Sequence, residues 1–248
     1  MKFNTDKSML DLQLAKMRKK QLLLIVFVLS FSVFTVQAQD TYMTKQLTDM
    51  IGQLNWDRNS LQGNTDHTDI AGSPYLYEDF KNGDVYYDKK FKVENIPLRL
   101  NLYSGDFEYM EKNIVMAFSD PSHIDKVVIG DEVFIYLDKA TGNQVSGYVK
   151  KRNDKLPCLL TKMETEFLNK EDPKPFEDPK PDRFHRTLDK NFIMMSDSEI
   201  EKVTTVKKLI KLLGNHSSEL TSFAKNEKIS SGDPEELVRL LEYFHSLE

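Results

Sequence analysis

The sequence predicts an α+β protein in which an antiparallel β-meander, built as an open sheet or as a partial barrel or sandwich, precedes a small C-terminal helical unit. Two patterns predict this class. Between residues 72 and 168, short runs rich in β-branched and aromatic residues recur about every ten residues, and turn-forming residues separate several of them. From residue 205 to 248, apolar residues recur with helical spacing instead. Tight turns favour antiparallel pairing, because parallel strands need long connections.

The first 38 residues have the three-part pattern of a secretory signal peptide. A basic stretch at residues 17–20 precedes the apolar run 21–36, and the segment ends on a small alanine, after which cleavage is expected. The apolar run has sixteen residues, whereas a membrane-spanning helix needs about 20. An uncleaved N-terminal anchor is the alternative, and either Met1 or Met17 could start translation. The pattern predicts export to the periplasm or the extracellular space, with no stable membrane span after cleavage.

Charge and cysteine content restrict the classes of function. The formal net charge is −5, and removal of the leader, with its six Lys/Arg and two Asp/Glu, makes it −9. An acidic chain is a poor partner for nucleic acid, which binds basic surfaces. Cys158 is the single cysteine, so no intramolecular disulfide and no CxxC site can form. We expect Cys158 to be a buried, small apolar residue.

Residues 39–71 form a polar N-terminal segment, in which residues 44–54 have the pattern of one short amphipathic helix. The β domain follows at residues 72–168. In its run IPLRLNLY, residues 96–103, leucine alternates with arginine, asparagine and tyrosine. This period of two predicts a strand with one buried face and one more hydrated face.

Residues 169–183 repeat the motif Glu-Asp-Pro-Lys-Pro, and the four prolines of this segment disfavour both helix and sheet pairing. We expect a linker or a strap across the sheet, with a partner-binding Pro-rich motif as the alternative. Residues 184–204 have the pattern of a β-hairpin, and residues 205–248 that of three short helices. Asp233, followed by a proline and two glutamates, predicts the start of the last helix.

Several of these runs resemble an uncharacterised family of secreted proteins from Gram-negative bacteria. Its members read GSPYL, then VPLRYN, then KVVIGD.VFVY, and the matching residues here are 72–76, 96–103 and 126–136. The Pro-Lys-Pro stretch before Arg183 and Phe184 and the leucine-rich helical end are also similar. The resemblance implies an exported protein without an assigned activity, so it transfers no catalytic or binding residue to this chain.

The sequence predicts no catalytic, cofactor-binding or metal site. The five histidines are scattered, and none belongs to an HExxH or HxH motif. The motifs GxSxG, GxGxxG and GxxxxGK are absent. Carboxylate pairs such as Glu164 and Glu166 could act as acid and base, but such pairs are common in a chain this acidic.

Aromatic residues are the remaining candidates for a binding surface. Tyr75, Tyr77 and Tyr86 precede or begin the predicted sheet, and flat rings with a polar edge suit a glycan or a peptide ligand. Ordinary filling of the sheet by tyrosine is the alternative interpretation.

The sequence therefore predicts a secreted, non-enzymatic protein that binds or assembles in the cell envelope, with an envelope protein, a glycan or a peptide as partner. A periplasmic or extracellular hydrolase with an unrecognised site is the alternative. An exposed sheet edge or aromatic face would favour binding, whereas a deep pocket with converging carboxylates or histidines would favour hydrolysis. Exposure of Leu237, Leu240 and Phe244 would instead indicate that the helices dock a partner.

Overall fold

The computed structural model describes residues 42–47, 70–118, 120–139, 144–170 and 180–248. All of these belong to one compact unit. The predicted signal peptide, most of the predicted N-terminal helix and the centre of the Pro-rich segment lie outside the described residues. These three expectations therefore stay predictions.

The described part of the chain contains thirteen strands, three α-helices and one 3-10 turn. The strands are β1 (Met43–Thr44), β2 (Lys81–Tyr87), β3 (Phe91–Leu100), β4 (Phe107–Glu111), β5 (Ile114–Ala117), β6 (Ile124–Ile129), β7 (Glu132–Leu137), β8 (Gly147–Lys151), β9 (Cys158–Lys162), β10 (Thr165–Leu168), β11 (Arg183–Arg186), β12 (Lys190–Ser196) and β13 (Glu199–Lys202). The helices are α1 (Val206–Leu213), α2 (Ser217–Asn226) and α3 (Pro234–Leu247), and the 3-10 turn is Pro121–His123.

Eleven of the described strands form one open sheet, which confirms the α+β class with a largely antiparallel sheet. Ten of them lie in the order β13-β12-β9-β8-β7-β6-β2-β3-β4-β5, each antiparallel to its neighbour. β1 adds to the start of β3 as a parallel strand. β10 and β11 pair with each other outside this sheet.

The sheet departs from a simple meander between β5 and β6. Instead of pairing with β5, β6 returns to the free side of β2. The 3-10 turn lies in this connection, and Asp120 begins it, because its carboxylate accepts a hydrogen bond from the Ser122 N–H at 3.1 Å. This turn redirects the chain across the sheet.

The sheet curls, so that strands far apart in its order share one apolar core, here called the sheet core. The ring of Phe107 on β4 meets the rings of Phe134 on β7 and Tyr148 on β8 edge-on, at centroid distances of 5.3 and 4.8 Å. The alternating leucines of residues 96–103 are buried here, as predicted. The buried members are Val85, Tyr87, Val93, Ile96, Leu98, Leu100, Leu102, Phe107, Tyr109, Phe118, Ile124, Val127, Ile129, Phe134, Tyr148 and Met163.

The three helices pack on β9 and β12 and form a second core, here called the helical core. Leu237, Leu240 and Phe244 are at most 2% exposed, so the exposure that would indicate docking of a partner by these helices is not found. Asp233 caps α3 as predicted, because its carboxylate accepts a hydrogen bond from the Glu235 N–H at 2.9 Å. The buried members are Leu159, Ile193, Val203, Leu209, Ile210, Leu213, Leu220, Ala224, Leu237, Leu240, Leu241 and Phe244.

The two ends of the Pro-rich segment are held side by side. β10 and β11 pair antiparallel, with Leu168 opposite Arg183, and the Lys170 N–H donates to the Asp182 carboxylate at 2.6 Å. The segment between them is therefore the connection of a two-stranded hairpin. Since residues 171–179 lie outside the described part, a strap across the sheet stays a prediction.

Candidate functional site

Tyr75, the first of the three predicted binding residues, lies against a buried ion pair. The Arg99 guanidinium stacks on the Tyr75 ring, 3.5 Å from its centroid. Its Nη2 donates to Glu108 Oε2 at 2.7 Å, and the Arg99 and Glu108 side chains are only 12 and 3% exposed. Asn101 Nδ2 donates to the other oxygen of Glu108 at 3.1 Å. A buried charge is stable only with such partners, so Tyr75 covers a structural cluster on the outer face of the sheet, opposite the sheet core.

Backbone contacts hold the segment around Tyr75 on the same sheet. The Leu76 N–H donates to the Leu100 carbonyl oxygen at 2.9 Å. At Gly72, a Cβ would lie 2.4 Å from the Phe184 carbonyl oxygen, so only glycine permits this approach. Residues that carry the family resemblance thus contact one another across the fold, and they stabilise it.

Tyr77 and Tyr86 also have cations over their rings. The Lys81 Nζ lies 3.7 Å from the Tyr77 centroid, and the Tyr77 ring packs against the sheet core. The Lys126 Nζ lies 4.5 Å from the Tyr86 centroid, and the ring of Tyr42 meets Tyr86 edge-on at 4.9 Å. Tyr86 therefore helps to bind the N-terminal strand of its own chain.

Both backbone and side-chain hydrogen bonds hold β1 against the sheet. The Met43 N–H donates to the Lys90 carbonyl oxygen at 2.7 Å. The Tyr42 hydroxyl donates to Asp125 Oδ2 at 3.5 Å. Asp125 also accepts from the Lys89 N–H at 2.6 Å, so one carboxylate joins β1, the β2–β3 turn and β6.

The three predicted tyrosines do not line one common platform. Tyr75 and Tyr86 lie on the outer face, while Tyr77 packs towards the sheet core, and a different cation covers each ring. Binding of a glycan or a peptide by these residues stays a prediction.

Two titratable side chains join the β2–β3 turn to the 3-10 turn. His123 Nδ1 lies 2.8 Å from Asp88 Oδ1, and this hydrogen bond raises the pKa of His123. The hydrogen bond from the Ser122 hydroxyl lowers the pKa of the Asp120 carboxyl. Hydrogen bonds that stabilise the two turns therefore explain the positions of all four side chains, Asp88, Asp120, Ser122 and His123.

A second cluster of titratable side chains, formed by Asp106, Tyr148 and Lys162, lies at one end of the sheet core. Burial raises the pKa of Asp106 and of Tyr148, and it lowers the pKa of Lys162. The Lys162 Nζ donates to the Tyr148 carbonyl oxygen at 3.2 Å. It passes over Gly147, where a Cβ would lie 2.8 Å from it. The Lys162 amine therefore fills the space that a side chain at this position would need.

The remaining candidates for chemistry are dispersed. Among the residues that the structure describes, no three His, Cys, Asp or Glu side chains are placed to hold a metal ion. Cys158 is buried as predicted, and burial raises the pKa of its thiol. Glu164 accepts a hydrogen bond from Lys190, while Glu166 is exposed on β10. The two carboxylates considered as a possible acid–base pair, Glu164 and Glu166, therefore have different environments.

The two ends of the open sheet differ in composition. β13 reads Glu-Ile-Glu-Lys, whereas β5 reads Ile-Val-Met-Ala and carries no charge. Charged side chains on an edge strand discourage pairing with another chain. Ile114 of β5 is 57% exposed, and within the described residues no strand pairs with the outer side of β5. The β5 edge is therefore the candidate functional site.

The backbone of β5 presents hydrogen-bonding groups on this outer side. The Phe118 N–H donates inwards to the Phe107 carbonyl oxygen at 3.2 Å. Because direction alternates along an antiparallel strand, every second residue back to Ile114 also points inwards. Val115 and Ala117 consequently direct their N–H and C=O groups away from β4.

Comparison with models of protein families, with curated proteins and with solved structures finds no match to this chain. The family resemblance seen in the sequence stays a prediction. Among the described residues, no helix has both the length and the apolar composition that a membrane crossing requires.

The sequence predicted short strands throughout residues 72–168 but did not identify β5 as an edge. The available signal was an uncharged apolar run that follows Lys112 and Asn113 directly. A local pattern cannot show that the next strand pairs elsewhere, and that pairing is what leaves β5 at the end of the sheet.

Proposed function

We propose that this chain is an exported, non-enzymatic binding protein of the cell envelope, which takes up a strand of a partner polypeptide at the outer side of β5. The uncharged edge of β5, at which Ile114 is 57% exposed while Ala117 is buried, carries the proposal. Strand addition of this kind draws its affinity from main-chain hydrogen bonds, and its specificity from the side chains beside the edge.

The contrast with β13 supports this assignment. Sheet proteins protect their edges with charges, and β13 has three charged residues in four. β5 lacks that protection, although its shortness limits the contact to a few residues. Among the described residues, charges thus protect one end of the sheet and not the other, which is the arrangement expected where one specific pairing is useful.

The position of β1 is compatible with cleavage of the leader. Cleavage after residue 38 would leave three residues before Tyr42, which is already seated against Tyr86. Removal of the leader would therefore leave the contacts of β1 with β3 intact.

Photo-crosslinking tests the binding. A photoreactive side chain in place of Val115 is expected to capture one polypeptide in intact cells, while the same group in place of Leu188, which is 91% exposed, captures none. Mass spectrometry identifies the captured chain, and its crosslinked segment should be extended. Fractionation and N-terminal sequencing of the same cells should recover an exported protein that begins at Gln39.

Amide hydrogen exchange with the captured polypeptide provides the quantitative check. The outward amides of Val115 and Ala117 should be protected after addition of the partner, and Ile114→Lys should abolish that protection. Equal crosslinking at positions 115 and 188, or unchanged exchange at β5, would contradict the proposal.

A further inference from the structure

We infer that β1 is a pH-sensitive element of the fold, which the charged form of His123 holds in place and the neutral form loosens. The link between them is the β2–β3 turn, residues 88–90. This turn bonds to His123 on one side and to β1 on the other. The inference concerns the N-terminal strand and does not depend on strand addition at β5.

The imidazole of His123 lies between two carboxylates from different parts of the chain. Its Nδ1 is 2.8 Å from Asp88 Oδ1, and its Nε2 is 3.8 Å from Asp120 Oδ2. Only a protonated imidazole carries an N–H on both nitrogens. In the neutral form, one nitrogen presents a lone pair to a carboxylate, and the attraction to both negative charges is lost. Protonated His123 therefore joins the β2–β3 turn to the 3-10 turn.

The charges around His123 favour its protonated form. The hydrogen bond to Asp88 raises the pKa of His123 most, and the charges of Asp88 and Asp120 raise this pKa further. Lys90 of the turn and Lys126 of β6 lie over aromatic rings instead. The other charged or titratable groups line a cavity of about 490 Å³ beside Ser122, and they are Lys89, Asp125, Tyr136, Asp138, Lys151 and Asp197. Among the described residues, the ion pairs of His123 are those with Asp88 and Asp120.

The β2–β3 turn depends on contacts from outside the hairpin. Asp88 and Lys89 have φ angles of 51° and 52°, and a hairpin turn with two left-handed residues prefers Asn-Gly or Asp-Gly. Lysine at the second position is strained, and strained backbone persists where neighbouring groups enforce it. Here the Asp88 N–H donates to the His123 carbonyl oxygen at 3.0 Å, and the Lys89 N–H donates to Asp125 at 2.6 Å.

The same turn supplies a main-chain acceptor for β1. The Met43 N–H donates to the Lys90 carbonyl oxygen at 2.7 Å, and the Lys45 N–H donates to the Lys92 carbonyl oxygen, also at 2.7 Å. β1 has only two residues, so its position depends on each of these bonds. Relaxation of the strained turn moves the Lys90 carbonyl oxygen and weakens the pairing of β1 with β3.

The direction of the pH effect follows from His123. Its pKa in the folded protein is above the ordinary value of 6.5. The contribution of His123 is therefore complete below pH 6.5 and is lost as pH rises through the higher pKa of the folded protein. β1 is held at acidic pH and loosened at alkaline pH, where the carbonyl oxygens of Lys90 and Lys92 lose their N–H partners.

Amide hydrogen exchange of the whole protein between about pH 5.5 and pH 8.5 tests the inference. Division by the rates of an unfolded peptide at the same pH removes the intrinsic effect of hydroxide. We expect the protection of the Met43 and Lys45 amides to fall about two- to fivefold, which corresponds to the strength of an exposed ion pair. The Leu76 amide, which donates to the Leu100 carbonyl oxygen, should keep its protection. Constant protection at Met43 and Lys45 would overturn the inference.

Three variants identify the group and the link. His123→Gln retains a polar side chain that does not titrate, so the fall should disappear. His185→Gln is the matched control, because His185 is exposed on β11, and the fall should remain. Lys89→Gly relieves the strain, so the turn should hold Lys90 without help from His123, and the fall should shrink.

Protection at Leu76 shows that each variant is folded. A fall of the original size in His123→Gln, or its loss in His185→Gln, would assign the pH dependence to another group and contradict the inference. An undiminished fall in Lys89→Gly would show that the turn is not the link to β1, which also overturns it.

Discussion

The sheet core and the helical core differ in how far apart in the sequence their residues lie. The helical core joins three consecutive helices to β9 and β12, so most of its contacts are local. The sheet core brings together residues from Val85 to Met163. The ring of Phe107 on β4, for example, contacts rings on β7 and β8, which lie four and five places away in the sheet order. Long loops must close before such contacts form. The difference predicts that the two cores respond unequally to mutation.

The largest effect is expected from Phe107→Ala. This ring has no exposed surface and joins β4 to β7 and β8, so its removal should lower the free energy of unfolding by about 3–5 kcal/mol. Urea denaturation followed by circular dichroism measures this. Leu188→Ala is the control, since Leu188 is 91% exposed, and its cost should be within about 0.5 kcal/mol. Similar losses from both variants would show that the curled core does not depend on this ring.

Leu240→Ala should cost about 2–5 kcal/mol, because the fully buried Leu240 side chain would leave a cavity in the helical core. Amide hydrogen exchange can tell whether the two cores open together. We expect faster exchange in α1, α2 and α3 first, with β2 to β4 retaining their protection. An equal loss of protection in both regions would mean that the cores unfold as one unit.

Glu108→Gln tests the ion pair on the outer face of the sheet. The Glu108 carboxylate accepts from Arg99 and Asn101 while 3% exposed, and loss of its charge should cost about 1.5–3 kcal/mol. Glu94→Gln, in an exposed pair with Lys92 on the same strand, should cost at most about 1 kcal/mol. Chemical denaturation of both variants at low and high salt provides the comparison, and equal costs would contradict a buried role for Glu108.

The smallest effect is a pH dependence at the β2–β3 turn and the 3-10 turn, which His123 and Asp88 join. The hydrogen bond with Asp88 raises the pKa of His123 above its ordinary value of 6.5. Its stabilisation is therefore complete below pH 6.5 and is lost as pH rises through the higher pKa of the folded protein. The urea midpoint should fall slightly over that interval, and His123→Gln should remove the change. A midpoint that rises over the same interval would contradict this assignment.

The same contrast explains what could be predicted from the sequence. The alternation at Leu98 and Leu100 and the cap at Asp233 depend on neighbours within a few residues, and both were predicted and confirmed. The local period of apolar residues predicts the alternation, and the proline and glutamates after Asp233 predict the cap.

Contacts between distant segments could not be predicted. The parallel pairing of β1 with β3, the pairing of β10 with β11 and the stacking of Arg99 on Tyr75 depend on the paths of the loops between them. The sequence identified the three tyrosines as a possible aromatic surface. It could not show that the side chains of Lys81, Arg99 and Lys126 lie over their rings, because no sequence pattern links these positions. The identity of β5 as an edge was missed for the same reason.

The return of the chain from β5 to β2 has a consequence for biosynthesis. A polypeptide that leaves a ribosome or an export channel N-terminus first delivers β2 to β5 before β6. Until β6 has been made, the edge of β2 that later pairs with β6 has no neighbouring strand. Unpaired strand edges make a folding chain prone to aggregate, so the edge of β2 is a liability until β6 pairs with it. The length of the connection between β5 and β6 sets that interval.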